Sequence, residues 1–131
     1  MAIDRVERAK QLIGIWNTGD LGRYLENFAP DAEFNPDPNW PERGPFTGDA
    51  IERFLRNYME AWEHAEIAVD SIEEHGEAVL LRCRWNIRGA GSGVDVPTAF
   101  SLVLWIDEEG KIRRSDAFFD EAEARRAAAS R

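Results

Sequence analysis

Apolar residues recur every three to four positions at Val6, Ala9, Ile13 and Trp16, the spacing of one helix face. Asp4-Arg5-Val6-Glu7 sets an acceptor three residues ahead of a Glu, a capping box that starts this first helix. Gly19 stops it. Asp20 caps a second helix that carries Leu21, Tyr24, Leu25 and Phe28 inward, and Pro30 ends it because proline cannot continue the hydrogen-bond ladder. A short strand around Phe34 leads into a Pro-rich loop from Asn35 to Thr47. Asp49-Ala50-Ile51-Glu52 is a second capping box, opening a third helix that buries Ile51, Phe54, Leu55, Tyr58 and Trp62.

From His64 onward the period changes to two. Ile67, Val69 and Ile72 alternate with polar residues in a first long strand, and His75-Gly76-Glu77 turns the chain. In the next strand Val79, Leu81, Cys83, Trp85 and Ile87 face one way and Arg82, Arg84, Asn86 and Arg88 the other. Gly89 to Gly93 is a turn. The stretch after Pro97, Ala99 to Ile106, is almost wholly apolar, as in a strand buried on both faces. Asp107-Glu108-Glu109-Gly110 turns into a last strand, Lys111 to Phe119, and Asp120-Glu121-Ala122-Glu123 caps a short C-terminal helix. Its Ala/Arg tail, 124–131, is expected to fray.

This order predicts one α+β domain over residues 1–131. Three N-terminal helices pack on a strongly curved, mixed but mainly antiparallel sheet, forming a conical pocket. The strand apolar on both faces asks for a cover on its outer side. A second copy of the chain is the simplest cover, so a homodimer through the outer sheet face is expected.

The totals narrow the function. Hydrophobic residues make up 44% of the 131, a globular proportion. A formal charge of −9 argues against nucleic acid, whose phosphates demand a basic face. No apolar run approaches the roughly 20 residues of a membrane span, and the charged start does not read as a signal peptide. Cys83 is the single cysteine, which rules out an intrachain disulfide and suits a reducing cytoplasm. With only His64 and His75 beside it, a Cys/His zinc cluster lacks ligands.

Several stretches resemble the SnoaL-like branch of the nuclear transport factor 2-like superfamily. They are Asn17-Thr18-Gly19-Asp20, Phe28-Ala29-Pro30-Asp31-Ala32, Trp40 to Gly48, Gly91 to Val94, Gly110-Lys111-Ile112 and Phe119 to Ala124. These are mostly turns and caps, specific for the fold and weak for function. The resemblance implies a small, cofactor-free enzyme, since the superfamily includes ketosteroid isomerases, polyketide cyclases, scytalone dehydratases and limonene-epoxide hydrolases. It also holds members without assigned activity. Their shared logic is an acid in an apolar cone, where burial favours the protonated form and fits it for proton transfer near neutral pH.

Two aspartates are candidates for that acid. Ketosteroid isomerases carry their carboxylate beside a proline just after the lone strand, where either Asp37 or Pro36 of Asn35-Pro36-Asp37-Pro38 takes the slot. The structural use of Asp37 is an Asp-Pro turn. The isomerases also need two oxyanion donors, but the matching positions are Leu12 and the vicinity of Leu102. Lacking both forfeits roughly 3 kcal/mol each, which disfavours steroid isomerisation and leaves Tyr58 as a substitute donor.

Asp116 is the second candidate, because cyclases and epoxide hydrolases of the superfamily carry an essential Asp in the final strand. Counting by twos from a core-facing Ile112 puts Arg114, Asp116 and Phe118 on the core side, with Arg114 as partner and substrate contact. Aligned instead on the Phe-Asp before the last helix, the hydrolase acid falls on Ala117, and a one-residue shift turns Asp116 outward. The Arg-x-Asp pair of the epoxide hydrolases is missing around Arg82, Arg84 and Asn86. Trp40, Tyr58, Trp62 and Trp85 are expected to line the pocket around a hydrophobic small molecule. Cys83 reads as inert core. The leading expectation is acid–base chemistry on that molecule; the rival is a non-catalytic binding or dimerisation module on the same scaffold.

Overall fold

The computed structural model describes residues 3–38, 44–89 and 98–130, with side chains except those of Met59, 61–65, 86–89, Thr98 and Ser130. Its elements in chain order are α1 (Arg5–Asn17), α2 (Leu21–Leu25), β1 (Phe28–Asn35), β2 (Phe46–Thr47), α3 (Asp49–Ala61), β3 (Trp62–His75), β4 (Ala78–Gly89), β5 (Thr98–Ile106), β6 (Ile112–Phe118) and α4 (Glu121–Ser130).

The caps act as their residue types dictate. Asp4 accepts the Glu7 N–H at 3.1 Å, Asp20 the Arg23 N–H at 3.0 Å, and Asp120 the Ala122 N–H at 2.8 Å. Gly19, at φ 84°, makes the left-handed turn between α1 and α2 that an L side chain resists. Just before it, Asn17 behaves as an extra strand residue. Its side-chain amide donates to the Ile67 carbonyl at 3.0 Å and its oxygen accepts the Ile67 N–H at 2.8 Å, fastening the end of α1 to β3.

The six strands form one open sheet in the order β2-β1-β6-β5-β4-β3, antiparallel except where β1 runs parallel to β6. The inner face carries the main core, where Leu12, Val79, Leu81, Leu104, Ile106 and Ile112 are fully buried. Burying such side chains stabilises the fold by about 1.5–3 kcal/mol each relative to exposure.

Four expectations need correction. The second helix ends at Leu25, not near Pro30. Asn27 already accepts the Ile112 N–H at 2.8 Å through its carbonyl, so pairing with β6 captures residues the helix would have kept, and Pro30 lies inside β1. Phe46–Thr47 is a strand, β2, rather than loop. Trp62 opens β3 instead of closing α3. The tail is a helix through Ser130: Ala124 and Ala128 are buried against Ala78, Leu80, Val103 and Trp105 on the outer sheet face. The outer apolar row that suggested a second copy is therefore covered by α4 of the same chain.

Candidate active site

A cavity of about 200 Å³ lies over the inner sheet face. Its walls are strongly aromatic. Trp85 stacks on Phe100 with centroids 4.9 Å apart, Tyr58 meets Trp85 at 5.3 Å, and Trp16 meets Trp85 edge-on at 6.1 Å. On the opposite side Phe54 touches Phe34 and Phe46 at 5.2 and 5.1 Å. These edge-on, tilted and stacked contacts fix the orientation of the rings in the wall. Phe119, 46% exposed, is an apolar lip beside the cavity.

Asp37 is the carboxylate that lines this cavity among the described residues. It is 4% exposed. The chain reaches it by leaving β1 at Asn35, and the Phe119 N–H just past β6 donates to Asp37 Oδ2 at 2.6 Å. The end of β6 thus fixes the acid from the backbone. Burial also acts on the phenols in the wall. It pushes Tyr58 up to about 12 and raises Tyr24 further, so both remain protonated donors at neutral pH.

Asp116 lies elsewhere. β6 carries one extra residue near Arg113, seen where Ile106 pairs with Ile112 but Trp105 pairs with Arg114. This bulge reverses the count by twos. Ile112, Ser115 and Ala117 share the inner side, and Arg114 and Asp116 share the outer one. Asp116 is buried there, 3% exposed, under a bidentate Arg114 with contacts of 3.0 and 2.9 Å and the Asn35 amide at 2.8 Å. Arg114 lies 5.1 Å over the Trp105 ring, and the hydrogen bond to Asp116 secures its positive charge. The expectation that Asp116 and Arg114 face the cone is corrected. They border a second hollow of about 300 Å³, with Asp37 on the boundary between the two.

Tyr58 and Trp85 are wall residues, as placed above. Trp40 and the side chain of Trp62 lie outside the described residues. Leu102 lines the cavity and Leu12 is buried core, so neither position supplies an oxyanion donor. Arg82 and Arg84 face outward, paired with Glu121 and Asp70. Cys83 is buried, with its thiol pushed up to about 12 by desolvation. Sequence reasoning passed over Asn35, Ser115 and the cavity role of Tyr24. Tyr24 carried a signal, a polar tip at a core-facing helix position; Ser115 carried none until the bulge was known. Among the described residues, no three His, Cys, Asp or Glu side chains gather as a metal site, and no helix is long and apolar enough to cross a membrane.

Residues 9–115 match the SnoaL-like domain. The chain belongs to the SnoaL-like family. No curated protein matches it. Among solved structures it is similar to a cystatin-like fold protein of unknown function from Xanthomonas campestris, at 23% identity over 98% of this chain and 100% of that one, with a TM-score of 0.76. It is similar to SalBIII, an epoxide hydrolase/cyclase-like enzyme with a role in pyran ring formation in the polyether salinomycin, at 16% identity over 90% and 92% of the two chains and a TM-score of 0.75. A third is TerC, co-crystallised with polyporic acid, at 18% identity over 96% and 98% with a TM-score of 0.75. At these identities the likeness is one of fold, and the SnoaL-like cavity must speak for itself.

Proposed function

We propose that this SnoaL-like domain is a cofactor-independent enzyme that moves a proton on a hydrophobic, carbonyl-bearing or cyclic small molecule. The observation that carries the reading is Asp37: one nearly buried carboxylate, fixed by the Phe119 N–H, in a cavity wall that is mostly aromatic and aliphatic. A carboxylate held beside an apolar ligand can take a proton from carbon and return it at a neighbouring position. The Tyr58 phenol, protonated in the cavity wall, is a donor for the substrate oxygen. The occurrence of an epoxide hydrolase/cyclase-like enzyme on the same fold supports this reading, although it does not fix the reaction. The absence of donors at Leu12 and Leu102 favours a second reading, a binding module without turnover.

β-Tetralone in deuterated water separates them. It is a two-ring ketone with exchangeable protons beside the carbonyl. The wild type should accelerate their exchange, followed by NMR, and Asp37→Asn should lose roughly 100-fold or more of that acceleration. Binding seen by tryptophan quenching without accelerated exchange, or exchange untouched by Asp37→Asn, would overturn the catalytic reading.

A further inference from the structure

Among the described residues, two hydroxyls in the cavity wall have no hydrogen-bond partner. Tyr24 on α2 is 6% exposed, and its ring packs edge-on against Trp16 and Phe28. Ser115 on β6 is 1% exposed and faces inward beside Leu104 and Phe34 in the strand register. Among the described residues neither hydroxyl makes a hydrogen bond, yet no polar side-chain atom is both sealed and unpaired. Both oxygens therefore open onto the cavity they line.

Nearly all buried hydroxyls find a partner, because an unpaired one loses its bonds to water and gains nothing. Neither site needs its hydroxyl for packing. Phenylalanine would make the same ring contacts as Tyr24, and alanine would fill the strand position of Ser115. Two polar posts kept in so apolar a wall match a ligand that carries oxygen there. Asp37 shares the cavity with them but is held by another group, the Phe119 N–H, while Tyr24 stands on α2 and Ser115 on β6.

We infer that Tyr24 and Ser115 are oxygen-recognising posts in this cavity, so that the ligand is a ring compound bearing a hydroxyl or carbonyl in addition to the group that meets Asp37. This rests on the cavity being the ligand site, as proposed above, but not on turnover. Tyr24, protonated at neutral pH, donates to that oxygen; Ser115 donates or accepts.

The test compares binding of β-tetralone with its singly hydroxylated derivatives, one for each position on the far ring, by tryptophan quenching and calorimetry. At least one derivative should bind about tenfold more tightly, the worth of roughly one added hydrogen bond. Tyr24→Phe, Ser115→Ala or the two together should abolish that gain, measured as the ratio of derivative to parent-ketone affinity in each variant. Asp37→Asn should keep the gain, so a failure of the catalytic reading remains distinguishable. Because the hydroxyls have no protein partners, both variants should melt at or above the wild-type temperature, which shows that they fold. A panel without any tighter derivative, or a gain that survives the double variant, would overturn the inference.

Discussion

Asn35 and Asp116 are register partners across the parallel β1–β6 pairing, and the Asn35 side-chain amide donates to Asp116 Oδ1 at 2.8 Å. Asp37 follows Asn35 by two residues. The outer-face carboxylate thereby anchors the segment that presents the inner-face acid. Asp116 acts on the site through position, as a charged acceptor shared by Asn35 and Arg114.

That arrangement predicts a non-additive cycle. Asp116→Asn should cost about 1–3 kcal/mol of stability, since the Arg114 fork loses its charged acceptor. It should slow β-tetralone exchange by shifting Asp37. In an Asp37→Asn background it should slow exchange no further, because no acid remains to be positioned. Full additivity in the double variant, measured by NMR exchange, would instead mean that Asp116 takes part in the proton transfer.

Gly44 backs the same segment from the other side. A Cβ there would lie 2.9 Å from both Asn35 Oδ1 and the Phe34 carbonyl oxygen. The side-chain oxygen can swing away, but the backbone carbonyl cannot without moving β1. Gly44→Ala should therefore destabilise by about 1–3 kcal/mol and also weaken exchange. Gly22→Ala provides a control: its Cβ would find only Asp20 Oδ1, at an ordinary 3.7 Å. Urea midpoints for the two variants check the contrast.

How much of this was legible depends on the range of the interaction. The starts of α1 and α2 could be read because Asp4 and Asp20 cap N–H groups three residues away. The alternation of β4 also showed, since its inner row of Val79, Leu81 and Cys83 is local pattern. The end of α2 did not, because pairing from Asn27 to Ile112, across 85 residues, overrode a proline that locally marks a helix end. The facing of Asp116 did not either. Its parity was set by one extra residue near Arg113, and only the partner strand reveals a bulge. Asp37 could be found from its place beside the lone strand, yet nothing local tied it to Phe119. The outer cover was misread because alanines, small and easily taken for a fraying tail, are what lets α4 approach Leu80 and Val103 closely.

The buried thiol gives a pH prediction. Desolvation pushes Cys83 up to about 12, above the roughly 8.5 of an unfolded thiol. Between these values the native state holds a proton that the unfolded chain releases, so stability falls as pH rises. The contribution is complete below about pH 8.5 and declines above it by up to about 1.4 kcal/mol per pH unit. Buried Tyr24, also raised, steepens the loss at the alkaline end. Urea unfolding of Cys83→Val should show a shallower decline from about pH 9 to 10.5 than the wild type. Equal slopes would mean that the thiol is not desolvated. Thiol labelling of the folded wild type near pH 8 should be slow and should accelerate with urea, because only opening exposes the sulfur.

Ala124 tests the outer layer. It is fully buried on α4, against the row of Ala78, Leu80, Val103 and Trp105. Ala124→Glu forces a carboxylate into this buried apolar row and should cost at least about 2 kcal/mol, through overpacking and an unpaired charge. The polar rim of α4 matters less. Arg125 pairs with Glu73 at 2.7 Å and Glu121 at 2.8 Å, but the three side chains are solvated, and Arg125→Ala should leave the urea midpoint close to that of the wild type. If the alanine contacts hold the helix, Ala124→Glu should release it, expose the apolar row and make the protein associate with rising concentration, while Arg125→Ala stays unchanged in mass. Light scattering beside urea unfolding reads both. An Ala124→Glu protein with wild-type stability and mass would show that α4 is not the cover of this face.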